Sequence, residues 1–219
     1  ISFDGHTAGI YDMCCVGGGG GGQQLVSTSE DKTAKLWSVA DQRLLGTFAG
    51  HTSSVFCVCW LGDNRIATGG TDRTLKIWDI ETQTCLGTLT GHTGWVYCVM
   101  SLGDDRIVSG SDDKSVRVWS VSSLSCVATL TGHTNIVYSV ASLGDGRIVS
   151  ASGDYTLRVW DVSSLSCLAV LKGHDNTVTD VVSVGGGRVV SASKDTTIKL
   201  WDVATASCIG PFSGHTDDV

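Results

Sequence analysis

Short apolar runs of strand length, broken by turn residues, recur along the whole chain. Between residues 132 and 172 they are Ile136–Leu143, Arg147–Ser152, Thr156–Val162 and Cys167–Leu171, separated by turns such as Leu-Gly-Asp-Gly and Ser-Gly-Asp-Tyr. Each run is about as long as an ordinary strand. No stretch carries a sustained helical period with caps at its ends. Four short strands joined by tight turns predict one antiparallel sheet. The first run, Val137-Tyr138-Ser139-Val140-Ala141, barely alternates, so the sheet is apolar on both faces. Such a sheet must be covered on each side by a neighbour.

The pattern is periodic, and period is the first thing to test in any sequence. Gly-His pairs begin at Gly5, Gly50, Gly91, Gly132, Gly173 and Gly214; the last four steps are 41 residues each and the first is four longer. Four residue types recur at matching offsets: His6, Ser27, Asp31, Trp37; His51, Thr68, Asp72, Trp78; His92, Ser109, Asp113, Trp119; His133, Ser150, Asp154, Trp160; and His174, Ser191, Asp195, Trp201. In a meander, the loop before the first strand and the turn between the second and third lie at the same end. This brings each Gly-His loop beside an Asp turn. A hydrogen bond from the imidazole to the carboxylate would fix its tautomer. The other ring nitrogen could then accept from the Ser or Thr hydroxyl, which in turn could meet the indole N–H. A buried network of this kind leaves nothing unpaired, and losing one member costs about 1–3 kcal/mol.

With its repeated Gly-His to Trp-Asp frame the chain resembles the WD-repeat β-propellers. The resemblance implies an all-β fold, a propeller of four-stranded antiparallel blades. Five complete blades are expected over about 5–49, 50–90, 91–131, 132–172 and 173–213, with 214–219 beginning another. It also implies a single propeller domain or segment over 1–219 and, because the family more often closes with seven blades, a place in a longer seven-bladed array. The five sets above are then structural tetrads. Departures are few: Trp37 and Trp119 are followed by Ser38 and Ser120 instead of Asp, and turns such as Leu102–Arg106 lack the family's common proline.

Composition narrows the chemistry. A net charge of −7 argues against a phosphate-backbone binder, which carries a basic face. No apolar run approaches the roughly 20 residues of a membrane helix, and the start does not resemble a signal peptide. Nine cysteines are present. Cys85, Cys126, Cys167 and Cys208 share one repeat position, on separate blades. Cys57 and Cys98 share another, as do Cys14 and Cys59. None has zinc-ligand spacing to a spare His, so they are read as small hydrophobes of a reducing, intracellular compartment, cytoplasmic or nuclear, with no metal and no cofactor. Gly17–Gly22 reads as a solvent loop between the first two strands; no Lys-Ser/Thr follows it to make a phosphate cradle.

All six histidines belong to Gly-His pairs, which leaves none for acid–base work and points away from an enzyme. Asp12 and Asp180 break the pattern at positions held elsewhere by Cys57, Cys98 and Ser139, and are expected to be solvated at a channel mouth. Binding of other proteins or peptides is the better reading. At the Gly-His end the variable positions place Trp95, Ile136 and Tyr155 on neighbouring blades, flanked by Arg73 and Lys114, and aromatic and Arg side chains are frequent interface anchors. The expected role is a non-catalytic scaffold. The alternative is the substrate-recognition module of a ubiquitin ligase or similar signalling complex. The Leu-Gly-Asp-Gly-Arg-Ile-Val-Ser stretch is similar to that of F-box type WD-repeat proteins, which read phosphorylated segments, and Lys32, Arg73 and Lys114 could serve that reading.

Overall fold

A computed structural model describes residues 5–17, 23–212 and 214–219. The run of glycines at 18–22 and the opening residues 1–4 lie outside the described residues. Among the described residues, twenty strands form five four-stranded sheets. The first holds β1 (Ile10–Val16), β2 (Gln24–Ser29), β3 (Thr33–Ser38) and β4 (Arg43–Ala49). The second holds β5 (Val55–Gly62), β6 (Arg65–Gly70), β7 (Leu75–Asp79) and β8 (Cys85–Leu89). The third holds β9 (Val96–Gly103), β10 (Arg106–Ser111), β11 (Val116–Ser120) and β12 (Ser125–Leu130). The fourth holds β13 (Val137–Gly144), β14 (Arg147–Ser152), β15 (Thr156–Asp161) and β16 (Ser166–Lys172). The fifth holds β17 (Val178–Gly185), β18 (Arg188–Ser193), β19 (Ile198–Asp202) and β20 (Ser207–Phe212). Every sheet is a meander in chain order. Among the described residues there is no helix, hence none long and apolar enough to cross a membrane.

The turns explain the regular spacing. Between the first two strands of four sheets, both central turn residues have positive φ: Asp63 and Asn64 (46° and 62°), Asp104 and Asp105 (48° and 64°), Asp145 and Gly146 (52° and 73°), Gly186 and Gly187 (61° and 71°). This is the primed turn, whose twist matches that of the flanking strands, and Asn, Asp and Gly tolerate it best. Asp161 Oδ1 accepts from Ser163 and Ser164 and so ties the turn before β16. These bonds, led by that of the Ser163 hydroxyl, bring its carboxyl down to about 2. Ser38 and Ser120, which stand where other repeats have this Asp, take over the acceptor role: Asp41 N–H donates to Ser38 Oγ at 3.1 Å and Ser123 N–H to Ser120 Oγ at 3.3 Å.

By its contacts the chain divides into two compact units, residues 1–107 with 119–126, and residues 108–118 with 127–219. In the first unit, Val16, Val26, Ala34, Leu36 and Phe48 of the first sheet pack on Val58, Ile66, Trp78 and Ile80 of the second. The other face of that second sheet, with Cys57, Ala67, Leu75, Ile77 and Leu89, packs on Val96, Val99, Ile107, Trp119 and Val121. The second unit repeats the scheme with Val149, Ala151, Leu157, Val159 and Leu171 against Val178, Val181, Val189, Trp201 and Val203. The second sheet, apolar on both faces, is thus sandwiched by its neighbours. None of the nine cysteines is in a disulfide, and burial pushes the Cys14 thiol up to about 12.

Candidate functional site

The turn between the second and third strands builds the site from one carboxylate. Asp31 Oδ1 accepts from Thr33 N–H at 3.0 Å and from the Thr33 hydroxyl at 2.6 Å, closing the turn. Its Oδ2 accepts from His6 Nδ1 at 2.7 Å and from Thr7 N–H at 3.1 Å, which fastens the Gly-His loop. His6 Nε2 meets Ser27 Oγ at 2.8 Å, and the Trp37 indole donates to that oxygen at 2.7 Å. The proton directions are mutually consistent: indole to hydroxyl, hydroxyl to Nε2, Nδ1–H to carboxylate. His51–Asp72, His133–Asp154 and His174–Asp195 repeat the arrangement at 2.8, 2.8 and 2.6 Å, with Thr68, Ser150 and Ser191 as the hydroxyls and Trp78, Trp160 and Trp201 as the indoles. Of the third set, His92 and Trp119 lie in the first unit with ring centroids 5.6 Å apart, and Ser109 and Asp113 lie in the second.

Electrostatics follow from this geometry. Burial alone would raise Asp31, Asp72, Asp154 and Asp195. The hydrogen bonds from His, Thr and backbone N–H outweigh it and hold all four carboxyls well below the usual carboxylate range. His174 is lowered, because burial outweighs the pull of Asp195. In these four sets both imidazole nitrogens are already engaged.

The partner-binding candidates fall in both units. Trp95 and Arg73 belong to the first, and Ile136, Tyr155 and Lys114 to the second. Trp95 and Tyr155 are each 46% exposed. Arg73 and Lys114 are exposed and Ile136 is half-buried. Lys32, Arg73, Lys114 and Tyr155 all sit in left-handed backbone, with φ between 66° and 71°, so each turn projects its side chain from a fixed direction.

What surrounds Trp95 escaped the sequence reading. Phe56 lies 6.0 Å from the Trp95 ring, 5.3 Å from Tyr97 and 4.6 Å from Tyr11, the last edge-on. Tyr11, Phe56 and Tyr97 from the inner strands of three sheets, with Trp95 from the loop just before β9, therefore form one group in the first unit. Tyr11 and Phe56 stand where the register with the second strand slips, between Ile10 and Asp12 and between Val55 and Cys57. A bulge re-aims the side chain it carries. The available signal was the second residue of each inner strand, which reads Tyr11, Phe56, Tyr97, Tyr138 and Thr179.

Asp12 is half-buried and not simply solvated, whereas Asp180 is exposed as expected; both also carry bonds that the sequence did not show. Asp12 Oδ2 accepts from Val58 N–H of the second sheet at 2.9 Å, and Asp180 Oδ1 accepts from Ser139 Oγ of the fourth at 2.6 Å. Both stitch neighbouring inner strands together. Among the described residues, no group of three or more His, Cys, Asp or Glu side chains is placed to hold a metal ion.

A family model described as "WD domain, G-beta repeat" matches five segments: residues 1–38, 42–79, 83–120, 124–161 and 165–202. No curated protein matches the chain. The matched segments are offset from the sheets. Residues 83–120 begin before β8 of the second sheet and end with β11 of the third.

Proposed function

The chain belongs to the WD-repeat family, and on that premise we propose that it is a non-catalytic interaction scaffold that presents the Gly-His end of its sheets to other proteins or peptides. The observation that carries this is the aromatic group of Tyr11, Phe56, Trp95 and Tyr97, with Trp95 46% exposed on a rigid sheet framework. Large apolar rings left in water at fixed positions fit a binding anchor. The tetrads support the non-catalytic part, since an imidazole with both nitrogens bonded has no lone pair or proton to offer a substrate. Trp95→Ala should remove captured partners while leaving the melting temperature within about 2 °C, as expected of a surface substitution. Equal capture by wild type and variant, compared side by side, would sink the proposal.

A second reading rests on exposed cations in left-handed turns, Lys32 and Arg73 in the first unit and, separately, Lys114 in the second. They suit recognition of a phosphorylated segment, as in the substrate receptor of a ubiquitin ligase or similar complex. Under that reading, phosphatase treatment of the partners abolishes capture; under the first it does not.

A further inference from the structure

Neighbouring inner strands meet at the third residue, and what stands there differs from joint to joint. That residue is Asp12, Cys57, Cys98, Ser139 and Asp180 in turn. In the first unit Asp12 of β1 accepts from Val58 N–H of β5. In the second unit Ser139 Oγ donates to Asp180 Oδ1 at 2.6 Å and accepts from Val181 N–H at 3.4 Å. A third-position side chain thus reaches the backbone of the next inner strand, and in the second unit its third side chain as well. At the joint between β5 and β9 both places are held by cysteine.

The contacts that bring these two thiols together lie inside the first unit. The Cys57 side chain turns towards β9: its Sγ lies 4.0 Å from Val96 O, and 3.6 Å from Gly69 O of its own sheet. It belongs to the buried cluster with Val96 and Val99, which stand on either side of Cys98 along β9. The residues just before the two cysteines, Phe56 and Tyr97, have ring centroids 5.3 Å apart, so the two strands run close at this level. Burial first, and the nearby Cys98 thiol second, push the Cys57 thiol well up. The two differ in access: Cys57 is 3% exposed and Cys98 is half-buried. A thiol is a poor hydrogen-bonding group beside the Ser–Asp pair of the second unit. What two adjacent thiols offer instead is a covalent bond.

We propose that Cys57 and Cys98 form a reversible oxidation site, which hydrogen peroxide closes into a disulfide that locks β5 to β9 next to Phe56 and Tyr97. Cys98 is the entry. Its thiolate attacks one peroxide oxygen; the S–O bond forms, the O–O bond breaks, and the other oxygen leaves with the thiol's proton as water. Cys57 then attacks the Cys98 sulfur; the S–S bond forms, the S–O bond breaks, and the hydroxyl leaves with the Cys57 proton as a second water. The pair of thiols loses two electrons and the peroxide gains them. Burial keeps Cys57 protonated and away from the oxidant, so its part is to resolve the sulfenic acid and not to form it. A dithiol reductant reverses the change. The lock forms whether or not the aromatic group has a partner. It closes a loop from residue 57 to residue 98, and a cross-link over that span restricts the unfolded chain.

The test is hydrogen peroxide treatment of the folded chain in dilute solution at neutral pH, then alkylation of free thiols under denaturing conditions and peptide mapping without reduction. Wild type should yield the Cys57 and Cys98 peptides joined, and dithiothreitol should part them. Its melting temperature should rise by about 5 °C or more on oxidation and fall back on reduction. Cys57→Ser and Cys98→Ser are the controls, since serine already holds this place at residue 139, and circular dichroism confirms that each is folded. Neither should melt higher after oxidation. Cys57→Ser should leave Cys98 as the sulfenic acid, read with a 1,3-diketone reagent at about fivefold or more the wild-type yield. Cys98→Ser should leave Cys57 unmodified. The proposal is overturned if oxidised wild type lacks the joined peptide, if Cys57 or Cys98 is found joined to another cysteine instead, if the melting temperature does not rise, or if Cys57→Ser gives no more sulfenic acid than wild type.

Discussion

A single carboxylate carries unusual weight in each repeat, and Asp154 shows how. It receives four hydrogen bonds: the imidazole and Thr134 N–H on Oδ2, and Thr156 N–H with its hydroxyl on Oδ1. Removing the imidazole strands Ser150 and half of Asp154, so His133→Ala should cost about 1–3 kcal/mol. At about 2–4 °C per kcal/mol for a chain of this size, the melting temperature should drop by several degrees. An unchanged melting temperature would mean that the network contributes nothing. The same groups set the acid limit. Because Asp31, Asp72, Asp154 and Asp195 are lowered in the fold, the unfolded chain binds more protons, and the stability they contribute is present at neutral pH and lost as pH falls below about 4. His174 is also lowered, so its contribution is full above an unfolded value of about 6.5 and begins to fade below it. Thermal melts from about pH 7 to pH 3 should therefore show a shallow decline and then a steep one. A flat profile over that range would contradict the argument.

Among the elements, tolerance at the glycines should sort by what stands opposite. A Cβ at Gly70 would meet the backbone oxygen of Ser54 at 2.2 Å, whereas at Gly87 it would meet the tip of the Leu124 side chain. Backbone cannot swing aside and a leucine can. Other repeats place Ser29, Ser111, Ser152 and Ser193 where Gly70 stands, but here the Ser54 oxygen has closed on that space; Gly70→Ala should therefore cost about 1–3 kcal/mol in a denaturant titration, and Gly87→Ala, whose place Ala128 and Ala169 take in later repeats, under about 1 kcal/mol. The reverse ranking would refute this account. The strands themselves were legible in the sequence. The fourth repeat was expected at 136–143, 147–152, 156–162 and 167–171 and forms Val137–Gly144, Arg147–Ser152, Thr156–Asp161 and Ser166–Lys172, because turn chemistry brackets each run. The side-chain direction of Tyr11 and Phe56 was not legible, since a bulge leaves no mark on an alternation already blurred by two apolar faces. Nor was the bridging by Asp12 and Asp180, which depends on a neighbour 46 and 41 residues away.

For the whole molecule, stability should be graded along the array, because each sheet is held by the one beside it. Within the second unit β15 has both faces covered, whereas on β19 Ile198 and Leu200 are only half-buried. Amide exchange should accordingly be about tenfold or more slower in β15 than in β19, and equal rates would argue for a single cooperative block. The array was foreseeable from its 41-residue period; the mismatch between repeat and sheet boundaries was not, because no single repeat shows which sheet its opening strand joins. That mismatch has a consequence for how such a chain can change length. If residues 83–123 were spliced out, Thr82 would run into Leu124, and β12 would follow β7 through a turn of unaltered length, finishing the second sheet. Loss or gain of one period is therefore a scarless edit, in which the outer strand that completes the preceding sheet always travels with the insert.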